Sequence, residues 1–235
     1  MGRIPVEKVL MIERNAVDYF AKHRGMPAFV IGNGPSASNL IGYDAYVKDN
    51  FVTIGMNRSW QLIDSQYHVI MFHHEHLEDL KRNKFSTKGV TLWTYKDYSE
   101  MWVREVEEGD VIYVPSVADP RNEMHQFNLA GMISLDLSEC SYADMTGMFA
   151  LEVALWLRCD PIFLIGYDLY GGHFCDSWKP EDEWQSVQVD LFDLTAEQIE
   201  VEAPWASIYN CNQKSRILGF KKLDLEVALQ WKTGK

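Results

Sequence analysis

Four short runs of the sequence have no polar face: AFVI at 28–31, FVTI at 51–54, VIMF at 69–72 and PIFLI at 161–165. A strand buried on one side alternates apolar and polar residues, whereas a strand covered on both sides reads as an unbroken apolar run. Such runs belong in a sheet sandwiched between helices. Segments of helical spacing separate them, at 38–46, at 59–63 and, most strongly apolar, TGMFALEVALWL at 146–157. The expected fold is therefore α/β: a single-domain, doubly wound, mostly parallel sheet of Rossmann-like type. Residues 91–94, 111–114 and 207–210 supply further short strands, and 223–231 a closing helix. Within one domain spanning 1–235, the spacing over 6–23 predicts an N-terminal helix in residues 1–26. Residues 171–205 read as a lid or loop region, with KPEDE at 179–183 opening a helix.

Bulk composition narrows the partners. The chain has 235 residues, 47% of them hydrophobic and 24% charged, which suits one globular domain with a substantial core. A net charge of −12 argues against a nucleic-acid backbone as the main partner, since that binding depends on Lys and Arg neutralising phosphates. The first 25 residues lack the continuous apolar stretch of a signal peptide, and no segment approaches the roughly 18 apolar residues of a membrane span. Four cysteines are scattered without a C-x-x-C pair, so neither a zinc site nor a disulfide framework is expected, and a reducing cytoplasm fits. The composition is compatible with a homo-oligomer.

In doubly wound sheets, ligands sit beyond the carboxyl ends of the strands, near the point where strand order reverses. The groups that follow each run are the candidates. After AFVI comes Gly32-Asn33-Gly34-Pro35-Ser36, which places backbone N–H groups, an amide and a hydroxyl at a strand end close to a helix start, suited to a phosphate. It is not a Walker loop, and the G-x-G-x-x-G pattern fails at Ala37. A tight turn capped by Ser36 is the plainer alternative. After FVTI, Asn57 can read a ribose or base edge and Arg58 can face phosphate; alternatively Asn57 caps the helix that follows.

Thr146 and Gly147 open the apolar helix, and PIFLI ends in Gly166-Tyr167-Asp168-Leu169-Tyr170. If the turns GNGPS and GYDLY stand at neighbouring strand ends, they enclose one cleft. Asp168, Tyr170 and His173 then become the catalytic candidates, as ribose acceptor, phosphate donor and general base. Gly166 and Asn210 join the nucleotide-facing set. His73-His74-Glu75-His76 matches neither H-E-x-x-H nor H-x-x-H, so a ligand-contacting or surface cluster is expected there and no metal site. Residues 116–136 lack a clear period and read as an irregular loop over the ligand site.

The GNGPS opening, the Asn57 turn, the helix from Thr146 and the ending PIFLIGYDLY resemble the family-42 sialyltransferases. They also resemble the related motility-associated flagellin glycosyltransferases and archaeal 6-hydroxymethylpterin pyrophosphokinase. The tail from Ile208 to Ser215 with Phe220-Lys221-Lys222 is similar to that clan's closing strand and loop, and the chain looks most like its short bacteriophage members, which implies a host cytoplasm. The resemblance implies a transferase that takes a nucleotide sugar of the CMP-sugar type. Gly32, Asn33, Gly34 and Ser36 would line the phosphates, Asn57 and Thr146 would contact the nucleotide, and Tyr170 would bond the departing phosphate, with no metal required. The sialyltransferases' catalytic histidine lies well downstream of the GxDxY turn, yet here no histidine follows His173, which is then the candidate base. The pterin branch implies an alternative, a phosphotransferase using Mg²⁺ held by carboxylates such as Asp119, Asp168 and Glu75. A nucleotide-binding phage protein without catalysis is a third reading.

Overall fold

A computed structural model describes residues 12–14, 16–70, 91–95, 110–114, 133–135, 145–175 and 182–231. Its strands are β1 (Ile12–Arg14), β2 (Ala28–Ile31), β3 (Val52–Met56), β4 (Tyr67–Val69), β5 (Thr91–Tyr95), β6 (Asp110–Val114), β7 (Ile162–Ile165), β8 (Ile208–Asn210) and β9 (Lys221–Lys222). They form one sheet in the order β1-β6-β5-β4-β3-β2-β7-β8-β9, with every neighbouring pair parallel. From β2 the chain steps outward through β3, β4, β5 and β6, then returns to the other side of β2 to lay down β7, β8 and β9. The strand order therefore reverses between β2 and β7.

Alternation along the central strands explains their sequence. Val30, Ile54, Ile162 and Leu164 face a core shared with α2 (Thr146–Trp156) and α3 (Asp182–Glu202). Phe29, Ile31, Phe163 and Ile165 face a second core with Val47 of α1 (Asp44–Asn50) and with Leu225, Ala228 and Leu229 of α4 (Leu225–Leu229). Both faces of these strands are covered, so neither can be polar. Helix α2 is enclosed from Met148 to Trp156, which is why it has no hydrophilic side. Its one carboxylate, on Glu152, accepts the Ser134 amide at 2.5 Å, and the Trp156 indole donates to the Ser134 carbonyl at 2.9 Å. Among the described residues no helix is long and apolar enough to cross a membrane.

The N-terminal segment departs from the expected helix. Ile12–Arg14 adds a strand to β6, and a short 3-10 helix covers Ala16–Tyr19. Beyond it, Ala21 takes φ of +56° and Gly25 +73°, and the amides of Ala21, His23 and Gly25 donate to the carbonyls of Trp156, Leu157 and Arg158 at 2.8–3.0 Å. These carbonyls lie at the end of α2, where helical partners run out. The segment's amides close that helix instead of making one of their own. Other boundaries shift by shorter steps: 38–46 divides into a 3-10 helix at Pro35–Leu40 and α1, and the expected lid contains the 21-residue α3. Residues 6–11, the histidine cluster at 73–76 and most of the loop expected at 116–136 lie outside the described residues.

Candidate functional site

The turns after β2 and β7 meet at the reversal point, as adjacent strand ends must. Their contact is closer than neighbouring strands require. The Gly32 amide donates to the Ile165 carbonyl at 2.7 Å, the Gly34 amide to the Gly166 carbonyl at 2.9 Å, and the Gly166 amide to the Ser36 hydroxyl at 3.0 Å. The Ser36 amide donates to Asp168 Oδ2 at 2.9 Å. A Cβ at Gly32 would stand 2.6 Å from the Gly166 carbonyl oxygen, and one at Gly166 would stand 2.6 Å from that of Gly32. The glycines bring bare backbone against the partner turn, and the amides expected to face a phosphate at positions 32, 34 and 36 are held within this joint. Pro35 starts the 3-10 helix behind it, with Gly34 rather than Ser36 at the capping position.

Asp168 is the keystone of the joint, 1% exposed. Besides the Ser36 amide on Oδ2, it accepts the Asn212 side-chain amide on Oδ1. Burial raises its pKa above the ordinary carboxyl value, a push that its hydrogen bonds to Ser36 and Asn212 and the charge of Lys222 offset only in part. A carboxylate enclosed and bonded in this way is not disposed to accept a ribose hydroxyl or to hold Mg²⁺. Among the described residues no group of three His, Cys, Asp or Glu side chains could hold a metal ion; Asp119 and Glu75 lie outside them. Asn210 is also turned inward: fully buried, it donates to Ser215 Oγ at 3.0 Å and to the Tyr167 carbonyl at 3.3 Å, and accepts the Asn212 amide at 3.0 Å. These bonds make it a brace for the turn after β8.

A second group of the expected site residues lies on the other side of β2. Asn33 is 8% exposed and, among the described residues, its Oδ1 has no partner. One strand over, Asn57 Oδ1 is likewise buried and without a partner among the described residues, while Asn57 Nδ2 donates to the Thr146 hydroxyl at 3.2 Å at the start of α2. Asn57 is not the cap of the turn that follows, because Ser59 Oγ takes the Met56 amide there at 2.8 Å. Arg58 follows in the same 3-10 turn, half-buried, and Gly147 packs against Phe192 and Tyr167, whose hydroxyl donates to the Gly147 carbonyl at 2.9 Å.

Tyr170, half-buried, accepts Asn212 Nδ2 on its hydroxyl oxygen at 3.1 Å, which leaves its own proton to be donated elsewhere. Gly171 and Gly172 both take positive φ, +74° and +86°, and turn the chain back over Pro35. The Phe174 amide then bonds the Asn33 carbonyl at 2.8 Å, so His173 stands beside the first turn. Asn212, which holds both Asp168 and Tyr170, is legible in the sequence as one of the polar residues that follow a strand and as part of the tail motif, but its bracing role is not.

No family model matches the sequence, and no curated protein does. Among solved structures, the fold is similar to that of the Maf glycosyltransferase from Magnetospirillum magneticum AMB-1, with a TM-score of 0.59 at 17% identity over 93% of this chain. The chain spans 38% of that structure's length. Two structures of the sialyltransferase CstII also match. The one from Campylobacter jejuni with a CMP-3FNeuAc substrate analogue has a TM-score of 0.45 at 13% identity, over 88% of this chain and 89% of that one. The one with a trisaccharide acceptor and CMP has 0.46 at 14%, over 84% and 85%. At 17% identity the likeness to the Maf glycosyltransferase is one of fold alone.

Proposed function

We propose that the chain is a transferase that binds a nucleotide-activated sugar of the CMP-sugar type at the carboxyl ends of β2 and β3. The observation that carries this reading is the pair of buried amide oxygens on Asn33 and Asn57, at neighbouring strand ends and, among the described residues, without partners. A buried acceptor left unpaired costs about 1–3 kcal/mol. A ligand that presents donors, as ribose hydroxyls or a base amine do, recovers that cost, and the reversal point beside β2 is where doubly wound sheets take such ligands. Tyr170 supplies a proton donor for the departing phosphate, and His173 supplies the base for the acceptor hydroxyl. Resemblance to nucleotide-sugar transferases in the motifs adds support; the metal-dependent alternative is weakened by the enclosure of Asp168.

Calorimetry with a panel of CMP-, UDP- and GDP-sugars tests the donor half. Binding by a CMP compound is expected, and silence from every nucleotide at millimolar concentration would remove the reading. For the catalytic half, His173→Ala should leave donor affinity in place and lower transfer by about 10²–10⁴. Activity abolished by EDTA would favour the phosphotransferase instead, and binding of a nucleotide that is never turned over would favour the non-catalytic binding protein.

A further inference from the structure

A polar cluster of His68, Ser65 and Ser59 lies beneath the β3 turn. Gly55 of β3 and His68 of β4 are register partners. With no side chain at 55, three polar groups lean over it: a Cβ there would lie 2.6 Å from Ser59 Oγ, 2.9 Å from His68 Nδ1, and closer still to Ser65 Oγ. All three residues are buried, His68 and Ser59 completely. His68 Nε2 is 2.9 Å from the Asn57 carbonyl oxygen and Nδ1 is 3.3 Å from Ser65 Oγ. A carbonyl can only accept, so Nε2 carries the proton and Nδ1 accepts from the serine hydroxyl. Burial lowers the pKa of His68 to about 4, which keeps this neutral tautomer in place at ordinary pH.

The carbonyl gripped by His68 belongs to a residue in a costly conformation. Asn57 has φ of +46°, and a non-glycine residue stays in the left-handed region only where its surroundings hold it. That backbone angle also sets the direction of the Asn57 side chain, and hence the aim of its amide at Thr146 and at the ligand. We infer that His68 is a positioning residue of the donor site: its Nε2–H fixes the Asn57 carbonyl and so locks the Asn57 amide in its ligand-facing orientation. Gly55 and Ser65 serve the same device, one by making room for the imidazole and the other by setting its tautomer. The inference rests on the nucleotide reading of Asn57.

His68→Leu removes the donated proton, whereas His68→Gln keeps an N–H close to the Nε2 position. Both should lower the melting temperature, as changes at an enclosed site do. CMP affinity, measured by calorimetry below each variant's melting range, should fall about tenfold or more in His68→Leu and stay within about threefold of the parent in His68→Gln. In turnover, the loss should fall on KM for the donor with kcat preserved. If the parent binds CMP and His68→Leu binds it equally well, or if His68→Gln is no better than His68→Leu, the inference is wrong and the donor reading survives. A parent that binds no nucleotide sinks both. Nitrogen-15 NMR of the His68 ring in the parent is independent of any variant's folding: an Nε2–H tautomer supports the inference, and an Nδ1–H or doubly protonated ring at pH 6 overturns it.

Discussion

Two seams of the sheet end in turns at the same edge, and they treat their polar groups in opposite ways. Along β2–β7, each group aimed across the seam finds its partner: the Gly34 amide on the Gly166 carbonyl, the Gly166 amide on Ser36, the Ser36 amide on Asp168. Along β3–β4, His68 and the serines are satisfied beneath the turn, but Asn57 Oδ1 above it has no partner among the described residues. The glycine-rich seam is a joint, and the asparagine-bearing seam keeps an acceptor in reserve. Glycine permits two backbones to approach, and what they then satisfy is each other; an asparagine held by its backbone and by one end of its amide still has the other end to offer.

The sharpest way to break this comparison is Gly34→Ala. Gly34 has φ of −64° and ψ of 162°, which any residue can adopt, so the backbone itself imposes no cost. The obstacle is contact: a Cβ would lie 2.7 Å from the Gly166 carbonyl oxygen and closer to the Asp168 carboxylate. A loss of about 3 kcal/mol is expected in urea unfolding, at the upper end of ordinary overpacking because the neighbours are backbone and a fixed carboxylate. Parental stability would show that the joint is looser than described.

Acid should separate the seams by sign. The folded pKa of His68, about 4, lies below its ordinary 6.5, so the stability it contributes is present above pH 6.5 and is lost as pH falls through about 4. At 1.36 kcal/mol per unit, that is about 3 kcal/mol. Asp168 is raised above its ordinary 3.8, so its contribution is present below that value and is lost as pH rises through its folded value. Unfolding followed across pH should therefore find His68→Gln with a flatter acid limb between 6.5 and 4, and Asp168→Asn with a steeper one than the parent. Identical slopes in parent and variants would deny that the two seams bury their titratable groups as described.

The smallest expected effect lies at the asparagine-bearing seam. Thr146→Val keeps the branched shape and removes the hydroxyl that receives Asn57 Nδ2. CMP affinity should weaken by about 1 kcal/mol, roughly fivefold, with unfolding stability almost unchanged because Thr146 is only half-buried. An unchanged affinity would mean that the aim of Asn57 is set from below, by His68, without help from α2.

The sequence by itself determined the parallel sheet and the edge on which its polar turns gather. AFVI and PIFLI are apolar on both faces because helices cover both, and that pattern is local, as are the glycines and polar residues that stop each run. Only the tertiary structure decided what those turns meet. The helix expected from the spacing of residues 6–23 is not what the described part of that segment forms, because β6 offered an edge to Ile12–Arg14 and the end of α2 offered unpaired carbonyls to Ala21, His23 and Gly25. The glycines of GNGPS promised a close approach without saying to what; the answer, a turn some 130 residues further along the chain, is a long-range pairing that no local pattern encodes. His68 reads as one polar residue inside a strand, and its hold on Asn57 exists only because β4 lies beside β3 and position 55 has no side chain to keep the imidazole away.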